Sequence, residues 1–143
     1  MIIYAKTERE KEYCNQLAEC LKNFTLFSFE SDKLLCHADN EGIRLSYWTK
    51  DRQSTPKQTT TDIQIALATP WIGYVNYLEI EYTMKRKGHG RSLYNSIESF
   101  FQLNNCTHIR LADSGEGRKF WKRLGFSPYN AFEVEKILKQ RQS

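Results

Sequence analysis

The sequence predicts a single α/β domain of the mixed α+β kind, in which strands and helices share one core. Two observations lead to this prediction. Short strand-like segments fill the first half of the chain, and the second half has the order strand, helix, strand, helix. The length of 143 residues is that of one domain, without a recognisable linker or internal repeat. We therefore expect one domain over residues 1–143.

The bulk properties are those of a globular protein, with 40% hydrophobic and 27% charged residues. Residues 1–6 lack the basic and apolar regions of a signal peptide, and the apolar stretch 65–75 is interrupted by Pro70 and Gly73. We expect a cytoplasmic protein without a membrane partner. The four cysteines form no C-x-x-C pair, which predicts reduced thiols and no bound metal.

The first half is predicted to contain one helix and then a series of strands. The helix begins after Thr7, a good capping residue, and runs to about Leu21, with Glu8 and Glu10 near its positive end. Apolar and β-branched runs between turn residues predict strands over residues 24–29, 34–37, 42–47, 62–68 and 73–82. The polar stretch 49–61 is predicted to be a mobile loop, which either borders an acceptor site or simply connects two strands.

The second half predicts a helix on each side of one further strand. The first helix covers residues 91–103, because its apolar residues recur at helical spacing, namely Leu93, Ile97, Phe100 and Phe101. A strand over residues 108–112 and a short helix over residues 116–124, stopped by Gly125, come next. The alternation in residues 131–138 predicts a last strand, with a helix as the alternative.

The loop before the first of these helices has the composition of a phosphate-binding site. Gly88 and Gly90 would let backbone N–H groups approach a diphosphate, and the following helix supplies the positive end of its dipole. The side chains that add positive charge or a hydroxyl are Lys85, Arg86, Lys87, Arg91 and Ser92. So compact a cluster suits a small phosphate-bearing ligand better than a nucleic-acid track, although an ordinary surface turn is the alternative reading.

Other phosphate-binding fingerprints fit this loop poorly. The Rossmann pattern requires a third glycine where this chain has Leu93, and no glycine is followed by Lys and then Ser or Thr as in a Walker loop. Asp113, at the end of the next predicted strand, gives the Rossmann reading its one point of support, because it lies near the position of a ribose-binding acid.

Two segments of the sequence resemble the GNAT superfamily of N-acetyltransferases. The stretch from Leu78 to Gly90 is similar to the family's central motif, a strand followed by [Q/R]-x-x-G-x-[G/A], with Lys85 in the first position. The run Arg-Lys-Phe-Trp-Lys-Arg-Leu-Gly-Phe over residues 118–126 resembles the family's closing motif. The resemblance covers residues 77–126 well and the first half only by element order. It implies a mostly antiparallel, splayed mixed sheet flanked by helices.

The resemblance also implies a function and a set of site residues. It implies direct transfer of an acetyl group from acetyl-coenzyme A to a primary amine, either a small molecule, a protein lysine or a protein N-terminus. Backbone groups of Leu78, Glu79 and Ile80 would pair with the pantetheine arm and polarise the thioester carbonyl. The implied coenzyme-binding residues are Leu78, Ile80, Lys85, Arg86, Lys87, Gly88, His89, Gly90, Arg91, Ser92 and Ser114, the last replacing a family asparagine.

The catalytic groups are less well defined by the sequence. Where many family members carry an acidic tyrosine this chain has Trp121, whose indole cannot act as an acid, so water or Tyr129 is the candidate proton donor. A base must remove a proton from the amine, and Glu79, Glu81 and Asp113 are the candidates, with plain surface roles as the alternative. A GNAT-like module that binds coenzyme A with weak or no catalysis is the second functional hypothesis.

Overall fold

A computed structural model describes residues 1–22, 34–47, 61–68, 72–80, 89–112 and 117–138. The elements in chain order are β1 (Ile2–Tyr4), α1 (Glu8–Leu21), β2 (Leu34–Ala38), β3 (Ile43–Tyr47), β4 (Thr61–Ala68), β5 (Ile72–Ile80), α2 (His89–Leu103), β6 (His108–Ala112), α3 (Arg118–Arg123), β7 (Ser127–Pro128) and β8 (Glu133–Ile137). The predicted strand over residues 24–29 and most of the predicted loop over residues 49–61 lie outside the described residues.

The described strands form one mixed sheet in the order β1-β2-β3-β4-β5-β6-β8-β7. The pairs β1–β2 and β5–β6 are parallel, and the other described pairs are antiparallel. The predicted mostly antiparallel mixed sheet with helices is therefore confirmed. Among the described residues, no helix is both long and apolar enough to cross a membrane.

Local sequence signals account for the helix boundaries. The Thr7 hydroxyl accepts a hydrogen bond from the Glu10 amide at 3.1 Å, and the Glu10 carboxylate accepts one from the Thr7 amide at 3.1 Å, which forms a capping box at the start of α1. Helix α2 begins at His89, two residues before its predicted start. The segment after Pro128 contains a strand, β8, as its alternation predicted.

Two strands were not predicted from the sequence. β1 has three residues and β7 has two, which are too few to show an alternating pattern. Their strand geometry depends on pairing with β2 and β8, which only the folded chain supplies.

The core lies between one face of the sheet and the helices α1 and α2. One row of buried side chains crosses six strands in register, namely Ala38, Ile43, Ile65, Val75, Leu111 and Val134. The two helices contact each other through Tyr13 and Phe100, whose rings meet edge to face at 6.4 Å. Gly73 lets Phe101 lie directly on β5, because a Cβ at that glycine would stand 2.4 Å from the ring.

The opposite face of the sheet carries a polar cluster on β5, β6 and β8. Arg110 pairs in register with Tyr74 on one side and Glu135 on the other. Its Nε donates to the Glu135 carboxylate at 2.6 Å, and both side chains are less than one fifth exposed. The Glu135 carboxylate first, and the hydrogen bond with Tyr74 second, raise the pKa of Arg110. The sheet therefore has one apolar face and one polar face around the same strands.

Candidate functional site

The parallel strands β5 and β6 separate partway along β5. Their pairing covers only Ile72–Val75 of β5, which lies against residues 108–111 of β6. β5 continues to Ile80 and stays paired with β4 to its end, where Ile80 lies opposite Thr61. In the described pairing, residues 76–80 of β5 thus have a neighbouring strand on one side only. Alternate N–H and C=O groups on the other side can bind an extended, amide-bearing ligand as an added strand would.

A β-bulge marks the point where the strands separate. Ile65 lies opposite Val75, and Gln64 lies opposite Tyr77, so Asn76 is an extra residue in β5. Val75 and Leu78, three residues apart, both lie on the core side, since their partners Ile65 and Ile63 are both buried. The bulge therefore exchanges the two faces of the strand between its first and second halves.

The second half of β5 contains three of the predicted site residues. Leu78 is partly buried and packs against the core. Leu78 and Ile80 are two residues apart, so their peptide groups point to the same side of the strand. The register places Glu79 opposite Asp62 of β4, which brings a second carboxyl residue to this position. Sequence reasoning did not single out Asp62. The signal that would find it is the hairpin pairing of β4 with β5.

The first turn of α2 contains further predicted ligand residues. Gly90, Arg91 and Ser92 follow the first helical residue, His89, and the side chains of Arg91 and Ser92 are exposed. Phe101, near the end of α2, lies over Gly73, near the start of β5. Because β5, α2 and β6 form a parallel crossover, α2 runs back along the sheet, and its first turn lies toward the end at which β5 finishes.

Seven predicted site residues lie outside the described residues: Glu81, Lys85, Arg86, Lys87, Gly88, Asp113 and Ser114. Their roles stay predictions. The separated half of β5 and the first turn of α2 are the two described elements that flank the basic loop in the chain.

Trp121 belongs to an aromatic cluster that joins α2, α3 and the segment before β7. Its ring meets Tyr94 at 5.8 Å, Phe120 at 4.9 Å and Phe126 at 5.4 Å between centroids, all edge to face. Aromatic pairs at these distances stabilise packing. Trp121 thus has the contacts of a packing residue.

A polar network lies beside this cluster. The buried Tyr94 hydroxyl donates to the Glu98 carboxylate at 3.2 Å, and Lys136 of β8 pairs with the same carboxylate at 2.6 Å. Burial, and then the negative charge of Glu98, raise the pKa of Tyr94, so this phenol keeps its proton at neutral pH. The network ties α2 to β8.

Tyr129, the tyrosine named as a candidate proton donor, lies on the polar face of the sheet. Its amide donates to the Glu133 carbonyl at 2.9 Å, and Glu133 pairs with Ala112, the last residue of β6. Its ring lies under the guanidinium of Arg110, with 3.9 Å between Cζ and the ring centroid. Tyr129 is therefore level with the end of β6, near the place where β5 and β6 separate.

The fold is similar to solved structures of acetyltransferases. Tetrahymena Gcn5 matches with a TM-score of 0.56 at 13% identity, covering 95% of this chain and 92% of that chain. An acetyltransferase from Bacillus cereus matches with a TM-score of 0.54 at 18% identity, covering 96% and 98%. A Bacillus anthracis protein assigned as a streptothricin acetyltransferase, solved with acetyl-coenzyme A, matches with a TM-score of 0.55 at 13% identity, covering 71% and 65%.

These similarities establish the fold. They confirm the fold that the sequence motifs led us to expect. The sequence matches no protein-family model and no curated protein. The chain has the GNAT acyl-CoA N-acyltransferase fold, with the splayed strand pair and the crossover helix described above.

Proposed function

We propose that this protein is a GNAT-family N-acetyltransferase that transfers the acetyl group of acetyl-coenzyme A directly to a primary amine. The observation that carries the proposal is the separation of β5 from β6 after Val75, which leaves residues 76–80 open on one side. The position of this opening, just before a basic glycine-containing loop and a helix start, supports a ligand that has both an amide-bearing arm and a diphosphate.

Each part of the ligand has candidate partners in the chain. The peptide groups of Leu78 and Ile80 would pair with the pantetheine amides, and an N–H at the bulge side of the opening would polarise the thioester carbonyl. The loop N–H groups of residues 86–91, together with Lys85, Arg86 and Lys87, would hold the pyrophosphate at the positive end of α2. Ser92 in the first turn would add a hydroxyl, and Ser114 would bind in the pantetheine region.

The amine must lose a proton before its nitrogen attacks the thioester carbon, and a carboxylate is the chemically suitable base. Glu79 is the first candidate, because it lies in the separated half of β5 and the register places a second carboxyl residue, Asp62, opposite it. Glu81 and Asp113 are the other candidates. When the C–S bond breaks, the thiolate leaves with a conjugate-acid pKa of about 8.5, so a proton from water or from Tyr129 completes the transfer.

A module that binds coenzyme A with weak or no catalysis is the second candidate function. The contacts of Trp121 with Tyr94, Phe120 and Phe126 favour it, because the position that many relatives use for an acid holds a packing residue here. The two candidates share the coenzyme site and differ only in whether the acetyl group is transferred.

The deciding experiment has two stages. Thermal unfolding with and without coenzyme A tests binding, and a ligand present at 100 times its Kd adds about 2.7 kcal/mol to the free energy of unfolding. Release of free thiol from acetyl-coenzyme A, followed across a panel of amines, lysine peptides and peptides with free N-termini, then tests transfer. Stabilisation without thiol release would favour the non-catalytic module. No stabilisation at millimolar coenzyme A would overturn both candidates.

Two variants test whether coenzyme A stabilises the protein by binding at the start of α2. Gly90→Val places a side chain in the first turn of α2, where it would obstruct the phosphates, and we expect at least a tenfold loss of affinity for coenzyme A. Asn95→Val places the same side chain at an exposed position of α2 five residues later and should leave the affinity unchanged. Equal affinities of the two variants would show that the phosphates bind elsewhere.

A further inference from the structure

A second cavity lies at the end of the sheet away from the opening between β5 and β6. It has a volume of about 320 Å³ and is bounded by the start of α1, the turn between β2 and β3, and the last residues of β4. Ile65, Ala66 and Leu67 on its wall pair with residues 73–75 in the first half of β5, whereas residues 61–64 of β4 pair with the open second half.

The walls of the cavity are fixed in place. Tyr13 packs edge to face against Phe100, and Ile43 and Ile65 are buried at the floor. Gly42 lies so close to β4 that a Cβ there would stand 2.5 Å from the Ile65 carbonyl oxygen. The Asp39 carboxylate accepts from the amides of Glu41 and Gly42 at 2.8 and 3.1 Å, which holds the turn. A rigid wall of this kind lowers the entropy cost of binding a small molecule.

The cavity carries charges of both signs that do not neutralise each other. Arg9 donates from Nε to the Tyr13 hydroxyl at 2.8 Å, which holds the guanidinium over the tyrosine ring. No described residue forms an ion pair with Arg9 or with Glu41. The Glu10 amide in the first turn of α1 is already used by the Thr7 hydroxyl, and the Arg9 guanidinium supplies a positive charge on this wall that can bind an anion.

We propose that this cavity binds a small zwitterion with the chemistry of a free amino acid. Arg9 would bind the carboxylate, and Glu41, with the Asp39 carboxylate beside it, would bind the ammonium group. Ile43, Leu67 and the Tyr13 ring provide an apolar surface for the side chain. The volume is near the lower limit for small-molecule sites, which suits a ligand of this size. The proposal does not depend on the proposed function, because the two sites share no described residue.

Calorimetric titration of the full chain with L-leucine, L-methionine, L-phenylalanine and L-glutamine, each up to 10 mM, tests the proposal. N-acetyl-leucine lacks the ammonium charge and leucinamide lacks the carboxylate, so we expect each to bind at least tenfold more weakly than leucine. Saturating coenzyme A should not compete with the amino acid. Binding of N-acetyl-leucine as tight as that of leucine, or competition by coenzyme A, would overturn the proposal.

Two variants test whether leucine binds in this cavity. Arg9→Gln and Glu41→Gln each remove one charge from the wall and should weaken leucine binding at least tenfold. Lys11→Gln and Glu12→Gln make the same charge changes on α1 outside this cavity and should leave leucine binding unchanged. Thermal unfolding of all four verifies the fold, and amide NMR shifts of Gly42 on titration give an independent readout. The proposal fails if none of the four amino acids binds at 10 mM, or if both cavity variants bind leucine as the parent does.

Discussion

The two halves of β5 have the same backbone form and opposite roles. Ile72–Val75 has a strand on each side, and Gly73 and Val75 lie in the core beneath α2. Residues 76–80 keep only β4 as a neighbour in the described pairing. A continuous strand thus changes from a packing element to a candidate binding element within one residue, Asn76. The two halves therefore differ in the strands that they pair with, whereas both have extended backbone.

The bulge at Asn76 makes this change compatible with a continuous core. Without the bulge, strict alternation along the same sequence would place Leu78 on the face opposite Val75. With it, Leu78 stays on the core side while the strand turns away from β6, since bulges increase local twist. The predictions below alter one half of β5, or the polar face beside it, and leave the rest unchanged.

The largest effect is expected in the first half of β5. Gly73→Val would place its Cβ 2.4 Å from the ring of the fully buried Phe101, so the strand or α2 would have to shift. We expect a loss of at least about 3 kcal/mol in the free energy of unfolding, measured by denaturant titration. Adding Phe101→Ala should make the double variant less unstable than the sum of the two single variants. Strict additivity would contradict the proposed contact.

The second half of β5 should respond in turnover instead of stability. Glu79→Gln is expected to lower acetyl transfer about 100-fold at neutral pH, with little change in coenzyme binding or in the melting temperature, if Glu79 is the base. The rate of the variant should rise with pH, because more of the amine is then already deprotonated. Glu81→Gln, two residues later in the sequence, is the matched comparison. If both variants turn over normally, Asp113 or ordered water removes the proton.

Deleting Asn76 should change coenzyme binding more than stability. The deletion makes the pairing with β4 regular and keeps Leu78 opposite Ile63 on the core side. The local twist that the bulge adds would be lost, so we expect coenzyme binding to weaken at least tenfold, while the free energy of unfolding, measured by denaturant titration, changes by less than about 1 kcal/mol. Asn76→Ala retains the residue count and is the control, with near-parental stability and binding. Equal behaviour of the two variants would contradict the role of the bulge.

The smallest effect is expected on the polar face beside the opening. Glu135→Gln removes the carboxylate that pairs with Arg110 at 2.6 Å. The pair is only partly exposed, so we expect a loss of about 1 kcal/mol in the free energy of unfolding, measured by denaturant titration. Glu12→Gln, on the exposed side of α1, should change the stability less. A Glu135→Gln variant as stable as the parent would show that this pair does not stabilise the sheet.

The fold was largely predictable from local sequence signals. The capping role of Thr7, the helical spacing of Leu93, Ile97 and Phe100, and the alternation in β8 all act within one element. β1, β7 and the bulge were missed for a shared physical reason, because each is defined by the pairing of segments distant in sequence.

The candidate site was predictable only in part. The glycine-containing loop stands out in the sequence because close approach to phosphates requires particular residue types. No local rule reveals that Asp62 lies opposite Glu79, or that Arg110 lies over Tyr129. The cavity next to Arg9 likewise joins three separate segments. Sites that depend on side chains from several elements require the folded chain.

The short β7 at one edge of the sheet has a consequence for solubility. An edge strand with a long row of unpaired N–H and C=O groups is a template for aggregation with other chains. β7 presents only Ser127 and Pro128 at this edge, and proline has no N–H to donate. At the other edge of the described sheet, β1 offers only three residues, Ile2–Tyr4. Both edges therefore give a second molecule little to pair with, which disfavours growth of the sheet from one molecule into the next.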